Sequence, residues 1–189
     1  MTARHPSVSP TRIRFGSRPA IAAGFVKRQE QDELVEAVFT RAEPRTVLTG
    51  MRGSGKTQLA AAVAARCEEE GWPLVAWIHA ASRNEILAGL YEFALRIGID
   101  APKNIPLEVI VQRLLDQLRS AEAADRLFVF DNVENPDDLR DLIPEGAGVR
   151  VLITTPRHFD WDGLGWLRLA VGAFDREQSV SLLCERTGD

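Results

Sequence analysis

The stretch Gly50-Met51-Arg52-Gly53-Ser54-Gly55-Lys56-Thr57 constrains this chain more than any other. It matches G-x-x-x-x-G-K-[ST] at every fixed position. Arg45-Thr46-Val47-Leu48-Thr49, just before it, follows Pro44 and is rich in β-branched residues, which predicts a buried strand. Just after it, Thr57 to Glu70 is alanine-rich and runs into Gly71, the pattern of a helix closed by a C-cap glycine. Strand, glycine loop and helix in that order make an anion site. Gly50, Gly53 and Gly55 permit backbone conformations closed to other residues, so successive N–H groups can turn inward around a phosphate. The helix adds the positive end of its dipole to the same anion. Lys56 then reaches the β- and γ-phosphates, and the Thr57 hydroxyl is placed to ligate Mg2+.

A magnesium site of this type needs a carboxylate from a neighbouring strand. Asp131 supplies it: Leu127-Phe128-Val129-Phe130 is a continuous apolar run, so Asp131 emerges at the C-terminal end of a buried strand, where open α/β sheets bind ligands. Hydrolysis also needs a group that orients or deprotonates the attacking water. Asn132 cannot act as a base, which leaves Glu134 on the following loop. Thr154, Thr155 and Arg157 close the next predicted strand, and a hydroxyl or guanidinium there can sense a γ-phosphate.

The rest of the chain repeats the alternation. Leu74-Val75-Ala76-Trp77-Ile78, Val149 to Thr154 and Leu167 to Val171 read as further strands. Gln31–Thr40, Arg83–Ile97, Leu107–Leu118, a short segment from Pro136 to Leu142, and Glu177–Arg186 read as helices. Continuous apolar strands separated by helices predict an α/β fold, a three-layer parallel sheet of about five strands with helices on both faces. Trp161 and Trp166 flank a glycine-containing loop and are expected to anchor it in the core.

Residues 1–29 carry six basic side chains and no acidic one, with many Ser and Pro and only isolated apolar residues. Residues 1–24 are therefore expected to be a flexible basic lead-in, ahead of a nucleotide-binding domain over 25–189. The net charge of -4 argues against general nucleic-acid binding, whose affinity rests on phosphate neutralisation. No apolar run is long enough to span a membrane and no secretory pattern is present, which places the chain in the cytoplasm. Two cysteines, Cys67 and Cys184, are too few for a disulfide framework and read as reduced core thiols.

Taken as ordered blocks, these segments resemble the NB-ARC type STAND P-loop NTPases of bacteria. Phe25-Val26-Lys27-Arg28 is similar to that family's opening motif; the phosphate loop, Leu127 to Val133, Gly148 to Thr155 and the Leu-rich Ser181-Leu182-Leu183 follow in its order. The likeness spans roughly 24–187. It implies a P-loop NTPase of the ASCE type. Phe25, Val26 and Arg28 would pack on adenine, and Gly50, Met51, Arg52, Gly53, Ser54, Gly55, Lys56, Thr57 and Gln58 would line the nucleotide. Asp131 would be the Walker B acid serving Mg2+ with Thr57, and Thr154 with Arg157 the sensor. Lys56, Asp131 and Glu134 would carry catalysis. The family binds ATP or ADP, hydrolyses slowly and signals through the difference. The resemblance further implies ARC, winged-helix and repeat domains beyond Asp189, with which this core and other copies of itself would interact.

Three departures stand out: Lys27 replaces a glycine, Asn132 follows the Walker B aspartate, and Pro156 separates the threonines from Arg157. An AAA-type ATPase remodeller or loader stays open as an alternative, as does a pseudo-enzyme that binds nucleotide for structure alone. A GTPase is disfavoured because no N-K-x-D base-reading motif occurs.

Overall fold

The computed structural model describes residues 12–22 and 28–172. Six parallel strands form one sheet. In chain order the elements are β1 (Ile13–Phe15), α1 (Gln29–Val35), β2 (Arg45–Thr49), α2 (Lys56–Glu69), β3 (Leu74–His79), α3 (Arg83–Arg96), α4 (Leu107–Ser120), β4 (Arg126–Asp131), β5 (Val149–Thr155) and β6 (Leu167–Ala170). The strand order across the sheet is β1-β3-β4-β5-β2-β6. Thus β5 lies between the strand that leads into the glycine loop and the strand that ends in Asp131.

Side chains alternate between two buried clusters, as period-2 strands covered on both faces require. Val75, Trp77, Leu127, Val129, Leu152 and Leu48 face α1 and α2. Ala76, Ile78, Phe128, Phe130, Val151 and Ile153 face α3 and α4. The alanines of α2 explain its closeness to the sheet: Ala60, Ala61 and Ala64 are fully buried and add little width. Phe93 of α3 meets Phe128 edge-on at 5.5 Å, which joins the helical layer to the centre of the sheet. Trp161 and Trp166 are both buried and cross at 5.7 Å, pinning the loop before β6 as expected.

The sixth strand lies inside the expected lead-in. Ile13–Phe15 pairs in register with Leu74–Ala76, and Phe15 stacks on Phe93 at 5.2 Å. Arg14 donates to the Trp72 carbonyl at 2.9 Å and approaches Glu68, whose carboxylate also meets Arg18 at 3.4 Å. These cations sit at the C-terminal end of α2, where the helix dipole and its unpaired carbonyls favour positive charge. Three residues have too little pattern to announce a strand, and it is the tertiary contacts that hold them there.

The expected helix from Gln31 to Thr40 divides into α1 and a π turn over Glu36–Thr40, where the Arg41 amide donates to the Glu36 carbonyl. The segment after Pro136 is a single 3-10 turn, Pro136–Leu139, capped by the Asn135 side chain. The expected last helix, Glu177–Arg186, lies outside the described residues, as does Cys184. Cys67 lies on the buried face of α2, and burial pushes its thiol up to about 12, so it stays protonated and inert at neutral pH. Among the described residues no helix is long and apolar enough to cross a membrane.

Candidate functional site

The loop between β2 and α2 has the conformation its glycines allow. Gly50, Gly53 and Gly55 all have positive φ, at 154°, 79° and 93°. Gly55 caps α2 in the left-handed region, which a side chain would oppose. At Gly50 the constraint is contact as well: a Cβ there would lie 2.3 Å from the Val171 carbonyl oxygen. Gly50→Ala should therefore cost about 2 kcal/mol and lower the melting temperature by roughly 4–8 °C. A melting curve that superimposes on that of the parent protein would mean the loop does not pack on Val171.

Lys56 opens α2 and folds back over the loop. Its Nζ donates to the carbonyls of Gly50 at 2.8 Å and Met51 at 2.7 Å. Burial lowers the pKa of this ammonium, and the charge of Asp131 partly restores it. Met51 itself is an exposed side chain, so its contribution to the loop is the inward carbonyl. Ser54 is buried beside Gly50 with a hydroxyl that has no hydrogen-bond partner.

Asp131 is the junction of the site. The Thr57 hydroxyl donates to its Oδ1 at 2.9 Å, and the Thr154 hydroxyl donates to the same oxygen at 2.6 Å. Thr154 in turn accepts from the Asn132 amide at 2.9 Å, and its carbonyl accepts from the Val133 amide at 2.8 Å. Asn132 takes a positive φ of 69°, which turns the chain sharply after the acid. The first turn of α2, the end of β4 and the end of β5 thus meet at one carboxylate. Thr57 and Asp131 offer adjacent hard oxygen donors from two elements, a set that fits Mg2+ with its remaining positions left to water and phosphate.

Glu134 stands further along the same edge, between two guanidiniums. Arg52 of the loop donates to its Oε1 at 2.9 Å, and Arg157 beyond β5 donates to its Oε2 at 2.9 Å. The bond from Arg157, ahead of that from Arg52 and against some desolvation, holds the Glu134 carboxyl below the usual carboxylate range. All three residues stand out in the sequence but nothing in it pairs them; Arg52 and Glu134 are 82 positions apart.

Two expected nucleotide contacts have other partners here. The Gln58 carboxamide accepts from the Ala22 amide at 2.8 Å and donates to the Ala20 carbonyl at 3.3 Å, so it clasps the N-terminal segment to α2. Arg28 is buried and donates to the Ser54 carbonyl at 3.0 Å and the Gly172 carbonyl at 3.2 Å, joining the loop to the exit of β6. Glu30, which sequence reading does not single out, accepts from the Gly172 amide at 3.3 Å. Nothing in the local pattern could have indicated these tertiary pairings. Phe25 and Val26 lie outside the described residues.

No family model and no curated protein matches this chain. Solved structures do resemble it. Cdc6p from Pyrobaculum aerophilum aligns with 89% of this chain and 52% of its own at 16% identity, with a TM-score of 0.60. The ORC2 protein of Aeropyrum pernix, solved as ADPNP-ADP complexes, aligns with 97% of this chain and 55% of its own at 18% identity, with a TM-score of 0.57. The chain therefore spans about half the length of either structure. At these identities the likeness is one of fold alone, the α/β P-loop NTPase fold. The strand interposed between the loop strand and the Asp131 strand fits the ASCE type.

Proposed function

We propose that this chain is an adenine-nucleotide switch that binds ATP or ADP with Mg2+ and hydrolyses ATP slowly. The observation that carries the reading is the convergence of Thr57 and Thr154 on the Asp131 carboxylate, beside a glycine loop closed by Lys56. Anionic phosphates entering the loop would meet the N-terminus of α2 and the Lys56 ammonium. Thr57 and Asp131 are the residues that would hold Mg2+, which would offset the negative charge of the phosphates. Thr154 keeps the Asp131 carboxylate in a single orientation for that task.

In hydrolysis a water oxygen bonds to the γ-phosphorus while the bond to the β,γ-bridging oxygen breaks. ADP and phosphate leave, and the water proton passes to Glu134. A carboxylate tied by two arginines must first leave them to take that proton, which supports slow turnover. The finer assignment to the NB-ARC type STAND family rests on the ordered sequence blocks. A second reading, an AAA-type ATPase remodeller or loader, has its own support in the fold shared with Cdc6p and ORC2. Adenine preference is supported by the nucleotides in the ORC2 structure.

Equilibrium titration with ATP, ADP and GTP in Mg2+, with phosphate release followed alongside, tests the reading. Adenine nucleotides should bind in preference to GTP, with release well below ~1 per second. Release at tens per second would move the remodeller reading to the front. Absence of binding by any of the three would overturn the nucleotide assignment.

A further inference from the structure

We infer that Arg52 and Arg157 form a two-guanidinium clip for the terminal phosphate of ATP, and that the Glu134 carboxylate now between them is an internal competitor which ATP must displace and ADP need not. The inference rests on the reading of the loop as an ATP site.

Three loops at one edge of the sheet supply the parts. Arg52 belongs to the phosphate loop, Glu134 follows Asp131 by three residues, and Arg157 follows the end of β5 by two. Each guanidinium takes a different oxygen of the one carboxylate, both at 2.9 Å. A carboxylate so bridged presents two oxygens to two cations, and two oxygens of a terminal phosphate can do the same. Glu134 therefore occupies the position by the same chemistry its rival would use.

Exposure decides which anion wins. The Arg52 and Arg157 side chains are 77% and 59% exposed, so a ligand can reach both guanidiniums from solvent. Exposed ion pairs contribute little and exchange readily. A terminal phosphate brings more charge than a carboxylate and three acceptor oxygens, and guanidinium–phosphate bonds are among the strong charge-assisted ones. Glu134 is a real rival because it is held ionised at neutral pH. An open cleft of about 640 Å³, lined by Glu134, Asn135, Pro156, Arg157, His158 and Phe159, gives the displaced carboxylate room to turn.

Geometry along the nucleotide supplies the discrimination. Lys56 and the Thr57–Asp131 pair would locate the β- and γ-phosphates at the loop, and Arg52, one arm of the clip, belongs to that same loop. ADP ends at the β-phosphate and leaves Glu134 where it is. ATP carries the one group that competes for the clip. Ejected from it, Glu134 becomes available to the water that attacks that same group.

The test compares affinities for ADP and for a β,γ-imido ATP analogue, both with Mg2+, in the full chain and in Glu134→Gln, Arg52→Gln and Arg157→Gln. Glu134→Gln removes the competing charge at constant size and should tighten the analogue about tenfold, with ADP within about twofold. Either arginine variant should weaken the analogue by a similar factor with ADP unchanged. ADP affinity also reports that each variant retains its folded loop. An equal shift for both nucleotides in Glu134→Gln, or no shift, overturns the clip and makes the triad a plain structural tie. If the parent chain binds neither nucleotide, the ATP-site reading falls and the clip with it. Binding of both with an unaltered ATP-to-ADP ratio in the variants removes the clip alone.

Discussion

Lys56→Ala raises the dissociation constant for ATP by about 100-fold, a loss of ~2.7 kcal/mol, while leaving the thermal unfolding midpoint within a few degrees of the parent. The binding loss is large because Lys56 is the side-chain cation whose Nζ spans the loop mouth, held by the Gly50 and Met51 carbonyls at 2.8 and 2.7 Å. An incoming phosphate takes the place of those carbonyls, so the ammonium exchanges two neutral acceptors for a charged one. Stability changes little for two reasons. Alanine is a strong helix former at the start of α2. Met51 is exposed, so water can serve the loop once the ammonium is gone. Isothermal titration gives the first quantity and calorimetry the second. A variant that binds as tightly as the parent would remove the phosphate-site assignment, however well the loop matches its motif.

Asp131→Asn has an effect of a different kind. Chelating Mg2+ from the parent protein should weaken ATP binding by at least about tenfold, whereas the variant should bind equally with and without chelator, and its phosphate release should fall to background. Asparagine is the informative replacement because its side-chain oxygen can still accept from Thr57 and Thr154, the two donors that now converge on Oδ1. Alanine would instead strand two hydroxyls at a buried junction, at about 1–3 kcal/mol each, and confuse a metal effect with a folding effect. If Asp131→Asn keeps the full magnesium dependence, the metal is held elsewhere. Asp131 would then be a strand-terminating residue that ties β4 to β5 and α2.

These two experiments address residues that a reader of the sequence can find unaided. Both stand at the ends of contiguous local patterns: Lys56 closes a run of spaced glycines, and Asp131 ends four apolar residues in a row. The five longer strands likewise fall within a residue or so of where their patterns predict them: β2 to β5 are covered on both faces, which favours continuous apolar runs, while β6 at the edge is partly exposed. Boundaries blur where the local signal is weaker. The π turn after α1 has the same amphipathic spacing as a regular helix end, so only its hydrogen bonds reveal it.

Gln58 shows the other limit. Its place after Thr57 implies a role toward the nucleotide, yet its carboxamide clasps the backbone at Ala20 and Ala22. That pairing depends on β1 having joined the sheet edge, and β1 is held by Phe93, Trp72 and Glu68, all distant in the chain.

The sequence by itself determined the order of the long strands and helices from α1 to β6, the phosphate loop and the acid at the end of β4. Each is set by the conformational freedom, burial or periodicity of neighbouring residues, and such local physics is written in consecutive letters. Only the tertiary structure decided that Thr154 orients Asp131, that β1 belongs to the sheet and that Arg52 and Arg157 share Glu134. The polar pairings join residues 23 or more positions apart, and they exist because parallel strands bring their C-terminal ends to one edge. Charges and hydroxyls carry no label for a distant partner until the sheet has assembled that edge.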